Sequence, residues 1–270
     1  MKDPKTKNKR VLRWELGTPP TRRLDALAVE EPLEIQVDTR PIVVTMRTPG
    51  HDEELAAGFL LGEGIIHRRE DVLRIAPHVR NRLGNVLGVF LTPGTEVDFA
   101  RLTRNVYASS SCGLCGKASI EAVHQRFPPV KSKLVVRSKM LLELPALLRA
   151  GQAAFERTGG LHAAAIFDSH GQLIVLREDV GRHNAVDKVL GYGLRQGLLP
   201  FHRHILLVSG RASFEIVQKA LSAGLPIVAA VSAPSSLAVQ FAAESGQTLV
   251  GFLREAKLNV YAHPARIQFD

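Results

Sequence analysis

Two cysteines, Cys112 and Cys115, make up the whole thiol content of this chain, and they stand as Cys-x-x-Cys in the run Ser109-Ser110-Ser111-Cys112-Gly113-Leu114-Cys115-Gly116. Thiol chemistry happens here or nowhere. A thiol becomes a nucleophile or sulfur acceptor only as thiolate, which a helix N-terminus or a nearby cation favours. Residues 117–126, opening with Lys117, read as a helix that starts just after the pair, so both aids are expected. Four chemistries compete for the motif. Structural zinc takes four Cys or His ligands, so the pair would be half a site, completed by some of the ten histidines. A disulfide across two residues closes a tiny loop and constrains the unfolded chain little. A redox dithiol belongs in a compact βαβ unit, and the preceding residues 96–105 are not a clean buried strand. A sulfur-carrying thiol is the reading the local sequence favours. No metal is expected.

A second group of candidates lies where apolar runs stop. Residues 205–213 and 226–236 are each a buried strand that ends in small hydroxyl residues and opens a helix. Ligands of open α/β sheets bind outside the carboxyl ends of the strands, and helix N-termini favour phosphate. Ser209, Gly210, Arg211, Ser232 and Ser235 are therefore candidate ligand contacts, with Arg211 as a fork-shaped donor. The competing account makes these serines ordinary caps and turn residues. The run Glu178-Asp-Val-Gly-Arg-His-Asn-Ala-Val-Asp-Lys188 is the densest polar stretch of this half. If residues 182–190 are helical, His183 and Asp187 share one face. Read as a ligand site, the run puts Arg182 on phosphate and Asn184 or Asp187 on a base or pterin edge. Read blandly, it is a solvated helix start capped by Asp179.

Thr158-Gly-Gly-Leu-His162 has the flavour of a zinc deaminase core, but a deaminase needs Glu two residues after the His and a downstream Pro-Cys-x-x-Cys. Here the position is Ala164 and the Cys-x-x-Cys lies upstream, so deamination is not expected. His162 is either a retained site residue or a satisfied core histidine.

The elements that must position these groups fall into two styles. Residues 1–10 read as a basic disordered tail. Residues 11–127 read as an N-terminal α+β domain that ends in the Cys-x-x-Cys loop, with strands near 11–16, 33–38, 41–46 and 86–91 and a helix near 52–61. Residues 128–133, rich in proline and charge, read as a linker. Residues 134–270 read as α/β: a helix through 138–157, strands 162–167 and 172–176, then helix and strand alternating, which implies a mostly parallel sheet covered by helices.

Composition bounds the rest. With 270 residues, 45% hydrophobic and 23% charged, the chain can bury a large core. No stretch approaches the roughly twenty apolar residues of a membrane helix, and the first ten residues lack the apolar core of a signal peptide. A cytoplasmic protein with no membrane role is expected. A net charge of +9 suits a phosphorylated ligand, a nucleic acid or an acidic protein, but three Tyr and one Trp furnish a poor stacking surface, so no nucleic-acid role is expected.

Taken together, Ser110-Ser-Cys-Gly-Leu-Cys-Gly116, Thr158-Gly-Gly-Leu-His162, Glu178–Lys188, Ser209-Gly-Arg-Ala-Ser-Phe-Glu215 and Ser232-Ala-Pro-Ser-Ser236 resemble the FdhD family, sulfur carriers required for formate dehydrogenase activity. The resemblance spans roughly residues 10 to 265. It implies a cytidine-deaminase-like three-layer α/β/α domain that has lost the zinc chemistry, beside the smaller N-terminal α+β domain. It also implies that a cysteine desulfurase loads a persulfide onto Cys112, and that the sulfur passes to the molybdenum of bis-molybdopterin guanine dinucleotide before insertion into apo-formate dehydrogenase. A guanine nucleotide such as GDP would occupy the same site. The resemblance adds Phe252, Leu253, Arg254, Glu255, Ala256 and Lys257 as a cofactor-binding segment, leaves Cys115 to resolve, share or tune the persulfide, and implies a homodimer. The alternative is a chaperone that delivers the molybdenum cofactor without carrying sulfur.

Overall fold

The computed structural model describes residues 4–77, 84–95, 97 and 127–270. Cys112 and Cys115, and the helix expected after them, lie outside the described residues.

The chain opens with a two-stranded antiparallel ribbon, β1 (Thr6–Arg13) and β2 (Thr21–Ala28), whose register runs from Thr6 opposite Ala28 to Arg13 opposite Thr21. Residues 6–10 are thus strand and not the expected tail. The ribbon buries neither face, so it leaves no alternating apolar signature to read. A four-stranded sheet follows in the order β4-β3-β6-β5, from β3 (Glu31–Val37), β4 (Arg40–Arg47), β5 (Val72–Pro77) and β6 (Val86–Leu91). In β3 the period of two is clean, with Leu33, Ile35 and Val37 buried.

Helix α1 (Asp52–Gly62) is apolar nearly all round, which marks a helix enclosed on several sides. It lies between that sheet and α4 (Arg182–Arg195), and the contact is backbone to backbone. A Cβ at Gly58 would stand 1.8 Å from the Asp187 carbonyl oxygen, and one at Gly191 would stand 1.8 Å from that of Glu54. Glycine is required at both positions by this close approach. The two sequence regions consequently share one hydrophobic cluster that runs from Leu33 and Leu60 to Val186, Leu206 and Phe241.

The larger half holds α2 (Ser138–Ala150), α3 (Ala153–Thr158), β8 (His162–Asp168), β9 (Leu173–Asp179), α4, β10 (His204–Val208), α5 (Phe214–Ser222), β11 (Ile227–Ala230), α6 (Ser236–Glu244), β12 (Thr248–Arg254) and β13 (Lys257–Ala262). Short β7 (Val136–Arg137) and β14 (Ile267–Gln268) pair in parallel beside it. The six-stranded order is β13-β12-β11-β10-β8-β9. Only β10–β11 and β11–β12 are parallel, and the other three pairings are antiparallel, so the sheet is mixed where a mostly parallel one was expected. The cause is the two short hairpins, β8–β9 and β12–β13, which flank the crossover strands.

Alternation along β10 divides the interior. Leu206 and Val208 join the cluster under α4, α5 and α6, while Ile205 and Leu207 join a second cluster with Leu141, Leu144 and Leu148 of α2. The mixed sheet is therefore covered on both faces. The helix expected through 138–157 breaks at Gly151, where a Cβ would meet Leu176 at 2.7 Å. The Glu178 carboxylate then accepts hydrogen bonds from the backbone N–H groups of Ala154 (3.1 Å) and Phe155 (2.7 Å), restarting the helix as α3.

Candidate functional site

Three loops follow β10, β11 and β12 at one edge of the six-stranded sheet, and backbone bonds join them into a rim. Ala212 N–H donates to the Ala233 carbonyl at 3.2 Å and Ser235 N–H to the Ala212 carbonyl at 3.0 Å. Phe252 N–H donates to the Ser232 carbonyl at 3.0 Å. To reach that partner Phe252 adopts φ 50°, beside a register shift between Gly251 and Arg254. A bulky residue in the left-handed region is a strained conformation that persists where surrounding structure holds it, and such positions concentrate at binding sites. Gly251 permits the approach, since a Cβ there would lie 2.8 Å from Pro234 Cδ. The segment Phe252–Lys257, assigned by resemblance alone, thus abuts the Ser232 loop, with Leu253 buried and Arg254, Glu255, Ala256 and Lys257 exposed.

The start of α4 continues the rim. His183 Nε2 lies 3.3 Å from Ser213 Oγ and 2.8 Å from Glu215 Oε2 at the start of α5, and hydrogen bonding to His183 holds the Glu215 carboxyl below its usual range. Among the described residues Arg182 Nε is buried without a hydrogen-bond partner. Such a donor costs free energy unless a group outside the chain accepts from it. His162 sits against Gly210, where a Cβ would come within 3.3 Å of its Nδ1. Burial, with the Arg182 charge and then His183 beside it, lowers the His162 pKa, so its ring is neutral at pH 7. Arg211 is exposed on its loop. Arg182 and His183 lie beside His162, with Glu215 on His183, while Arg211 is exposed on the loop after β10 and Arg254 and Lys257 are exposed on the β12–β13 hairpin, a balance of charge that suits an anionic ligand.

Several expected contacts are spent inside the fold. Asp187, expected on a base or pterin edge, is 2% exposed and pairs with Lys219 of α5 at 2.7 Å. His183 and Asp187 do share a face, but it is turned toward Glu215 and Lys219, which have the same four-residue spacing. Asn184 donates to the Met46 carbonyl at 2.7 Å and to Asp179 Oδ1 at 3.0 Å, and accepts from Thr45 Oγ1 at 3.2 Å. Ser209 Oγ accepts from Ala163 N–H at 2.9 Å, and Ser235 Oγ caps α6 by accepting from Ala238 N–H at 3.3 Å. The bland reading holds for those two hydroxyls.

Sequence reasoning missed the clamp behind the rim. Lys188, fully buried, donates to Asp179 Oδ2 at 2.6 Å and to the Thr48 carbonyl at 2.8 Å. Thr48 N–H donates to the same Asp179 oxygen at 3.1 Å, and Thr48 Oγ1 accepts from Val180 N–H at 3.1 Å. Asp179 is therefore not a solvated cap but the hub that fixes the β9–α4 turn. Its partner Thr48 lies 131 residues away, and no local spacing announces it.

Comparison with known proteins identifies the family. The model of the FdhD/NarQ family matches residues 28–268. Proteins named sulfur carrier protein FdhD are similar along nearly the whole length. That of Streptomyces avermitilis is 52% identical over 274 residues, covering 97% of this chain and 95% of that protein. That of Mycobacterium tuberculosis is 52% identical over 255 residues, covering 91% and 92%. The crystal structure of a formate dehydrogenase accessory protein from Desulfotalea psychrophila superposes with a TM-score of 0.79 at 26% identity, covering 98% of this chain and 100% of that one. The chain is a mixed α/β protein that belongs to the FdhD/NarQ family.

Proposed function

We propose that this protein is a sulfur carrier serving formate dehydrogenase, which takes sulfur as a persulfide on Cys112 and passes it to the molybdenum of bis-molybdopterin guanine dinucleotide bound at the rim. The observation that carries the proposal is 52% identity along 97% of the chain to a protein named as a sulfur carrier. In the first step the Cys112 thiolate attacks the terminal sulfur of a desulfurase persulfide, so one S–S bond forms as another breaks. Cys115 is the auxiliary thiol. The molybdenum dinucleotide is the substrate, and the rim supports its binding: Arg182 and Arg211 offer donors for phosphate, and strained Phe252 near the end of β12 is tied to the Ser232 loop beside them. The three-layer arrangement, with Ala164 where a deaminase keeps its proton shuttle, supports a cytidine-deaminase-like domain without deaminase chemistry. A cytoplasmic homodimer that meets a cysteine desulfurase and then apo-formate dehydrogenase completes the reading.

The test is complementation of a strain that lacks its own family member and has no formate dehydrogenase activity. Wild-type protein restores the activity and Cys112→Ser does not. Full restoration by Cys112→Ser would instead support delivery of the cofactor without sulfur transfer.

A further inference from the structure

The ribbon of β1 and β2 stands out from the rest of the fold, and every residue from 12 to 25 is exposed. Its base is held to the body. Val29 N–H donates to the Lys5 carbonyl at 2.9 Å, and Ala28 packs near Gly160 just after α3, where an added Cβ would lie 3.4 Å from the Ala28 Cβ. At about 3.3 Å per residue, β1 then carries the chain roughly 23 Å from Thr6 to Arg13. The match to the family model begins at residue 28, so the ribbon lies ahead of the matched segment.

The closed end of the ribbon is apolar. Leu16 is 90% exposed, Leu24 70%, Leu12 68% and Trp14 60%. In the register Leu12 faces Arg22 and Arg10 faces Leu24, so the two leucines sit diagonally on one face with an arginine beside each. The other face carries Lys7, Lys9, Arg13 and Arg23. Two carboxylates stand among these cations: Glu15 pairs with Arg13 at 2.9 Å, and Asp25 lies across from Lys9. Among the described residues Lys7, Lys9, Arg10, Arg22 and Arg23 form no ion pair. A contiguous group of large apolar side chains held in water marks a contact surface. A second ribbon would bring like charges together. A nucleic acid would meet the arginines but leave three leucines wet, and one Trp gives bases little to stack on. A bilayer with anionic lipid satisfies both features, because apolar side chains pass below the headgroups, tryptophan favours the interface, and the cations meet lipid phosphate.

We propose that the closed end of the ribbon docks on an anionic bilayer surface, with Trp14 and Leu16 inserted and Arg10, Arg22 and Arg23 against lipid phosphate. The expectation of no membrane role concerned spans that cross, and no helix of the described residues is long and apolar enough to cross a membrane; a surface contact needs none. The inference goes beyond the sulfur-carrier reading and does not depend on it. Trp14 is the sole tryptophan of the chain, so tryptophan emission reports on this tip alone. The test mixes the full chain with vesicles of phosphatidylglycerol and phosphatidylcholine in equal parts, or of phosphatidylcholine alone, and follows sedimentation and emission. The wild-type chain should sediment with the anionic vesicles only, and its emission should move to shorter wavelength. Leu12→Ser/Leu16→Ser, which keeps the charge, and Arg22→Gln/Arg23→Gln, which keeps the apolar tip, should each weaken association at least about tenfold. A control of equal charge change far from the ribbon, Lys131→Gln/Lys133→Gln, should weaken it less than about twofold. All six side chains are exposed, so matching circular dichroism melts establish that the variants are folded. No sedimentation with anionic vesicles, sedimentation without the emission shift, or an equal loss in the control overturns the proposal. So does a shift that appears without vesicles as protein concentration rises, or on adding oligothymidylate or polyglutamate; these outcomes assign the tip to a second copy, to nucleic acid or to an acidic polypeptide.

Discussion

Arg177 of β9 grips Glu54 of α1 with two hydrogen bonds, Nε to Oε2 at 2.6 Å and Nη2 to Oε1 at 2.8 Å, across the junction of the two sequence regions. Burial works against the Glu54 charge, but hydrogen bonds and charge from Arg177 and His51 outweigh it and hold the carboxyl at about 2. A carboxyl depressed in the folded state stabilises fully above its unfolded value of 4.5, and the contribution fades as pH falls toward about 2. The contribution is at most roughly 3 kcal/mol at pH 7. Glu54→Gln should lower stability by about 2–3 kcal/mol at pH 7 and flatten the loss between pH 4.5 and 2. Urea titrations across that range read both effects; an unchanged acid slope contradicts the assignment.

The α1–α4 crossing makes a sharper prediction. Gly58→Ala and Gly191→Ala each place a methyl 1.8 Å from a backbone oxygen. Backbone cannot yield as a flexible side chain does, so each substitution should cost roughly 3 kcal/mol or more, near the upper end of overpacking effects. Thermal melts of both variants measure this, and a midpoint within a degree or two of wild type contradicts the contact.

Lys188 and Asp179 are both fully buried, and breaking such a pair leaves an uncompensated charge. Lys188→Met should destabilise by about 3–5 kcal/mol. Because Asp179 also receives the Thr48, Gly181 and Asn184 N–H groups, the loss should extend to the β9–α4 turn. Amide hydrogen exchange at residues 179–184 should accelerate, and unchanged protection there contradicts the role of Asp179 as hub.

At the rim, Arg182 and Arg211 offer donors for the proposed phosphate-bearing ligand. Arg182→Ala and Arg211→Ala should each weaken GDP binding about tenfold, as expected for loss of a charge-assisted hydrogen bond. Asp187→Asn should leave GDP affinity unchanged if the folded fraction is matched, since that carboxylate faces Lys219. Calorimetric titration separates the cases; equal effects at all three positions contradict the placement of the site.

What the sequence disclosed and what it concealed follow from range. Strands such as β3 and β10 are legible because alternation or an unbroken apolar run is a local signal, and so is α1. The loops after β10 and β11 are legible because small hydroxyl residues stand where strand gives way to helix. The fates of Asn184 and Asp187 are not legible, because polar residues before an apolar stripe look the same whether their partners are a ligand or Met46 and Lys219. The expectation of a mostly parallel sheet fails because alternating elements specify order and not direction, and the strand expected near 11–16 catches only the end of β1, its first half and all of β2 going unread because a ribbon with two exposed faces has no pattern to show. The Phe252–Lys257 segment carries no chemistry in its spacing; only the folded rim places it beside Ser232.

Sulfur transfer by this protein stands or falls with Cys112. Intact-mass analysis after incubation with a cysteine desulfurase and cysteine, beside Cys112→Ser and Cys115→Ser, tests it directly. The wild-type protein should gain one or more sulfur atoms that reductant removes, with the gain abolished in Cys112→Ser and retained, in whole or part, in Cys115→Ser. No gain on reduced, folded wild-type protein, or an undiminished gain in Cys112→Ser, would contradict it.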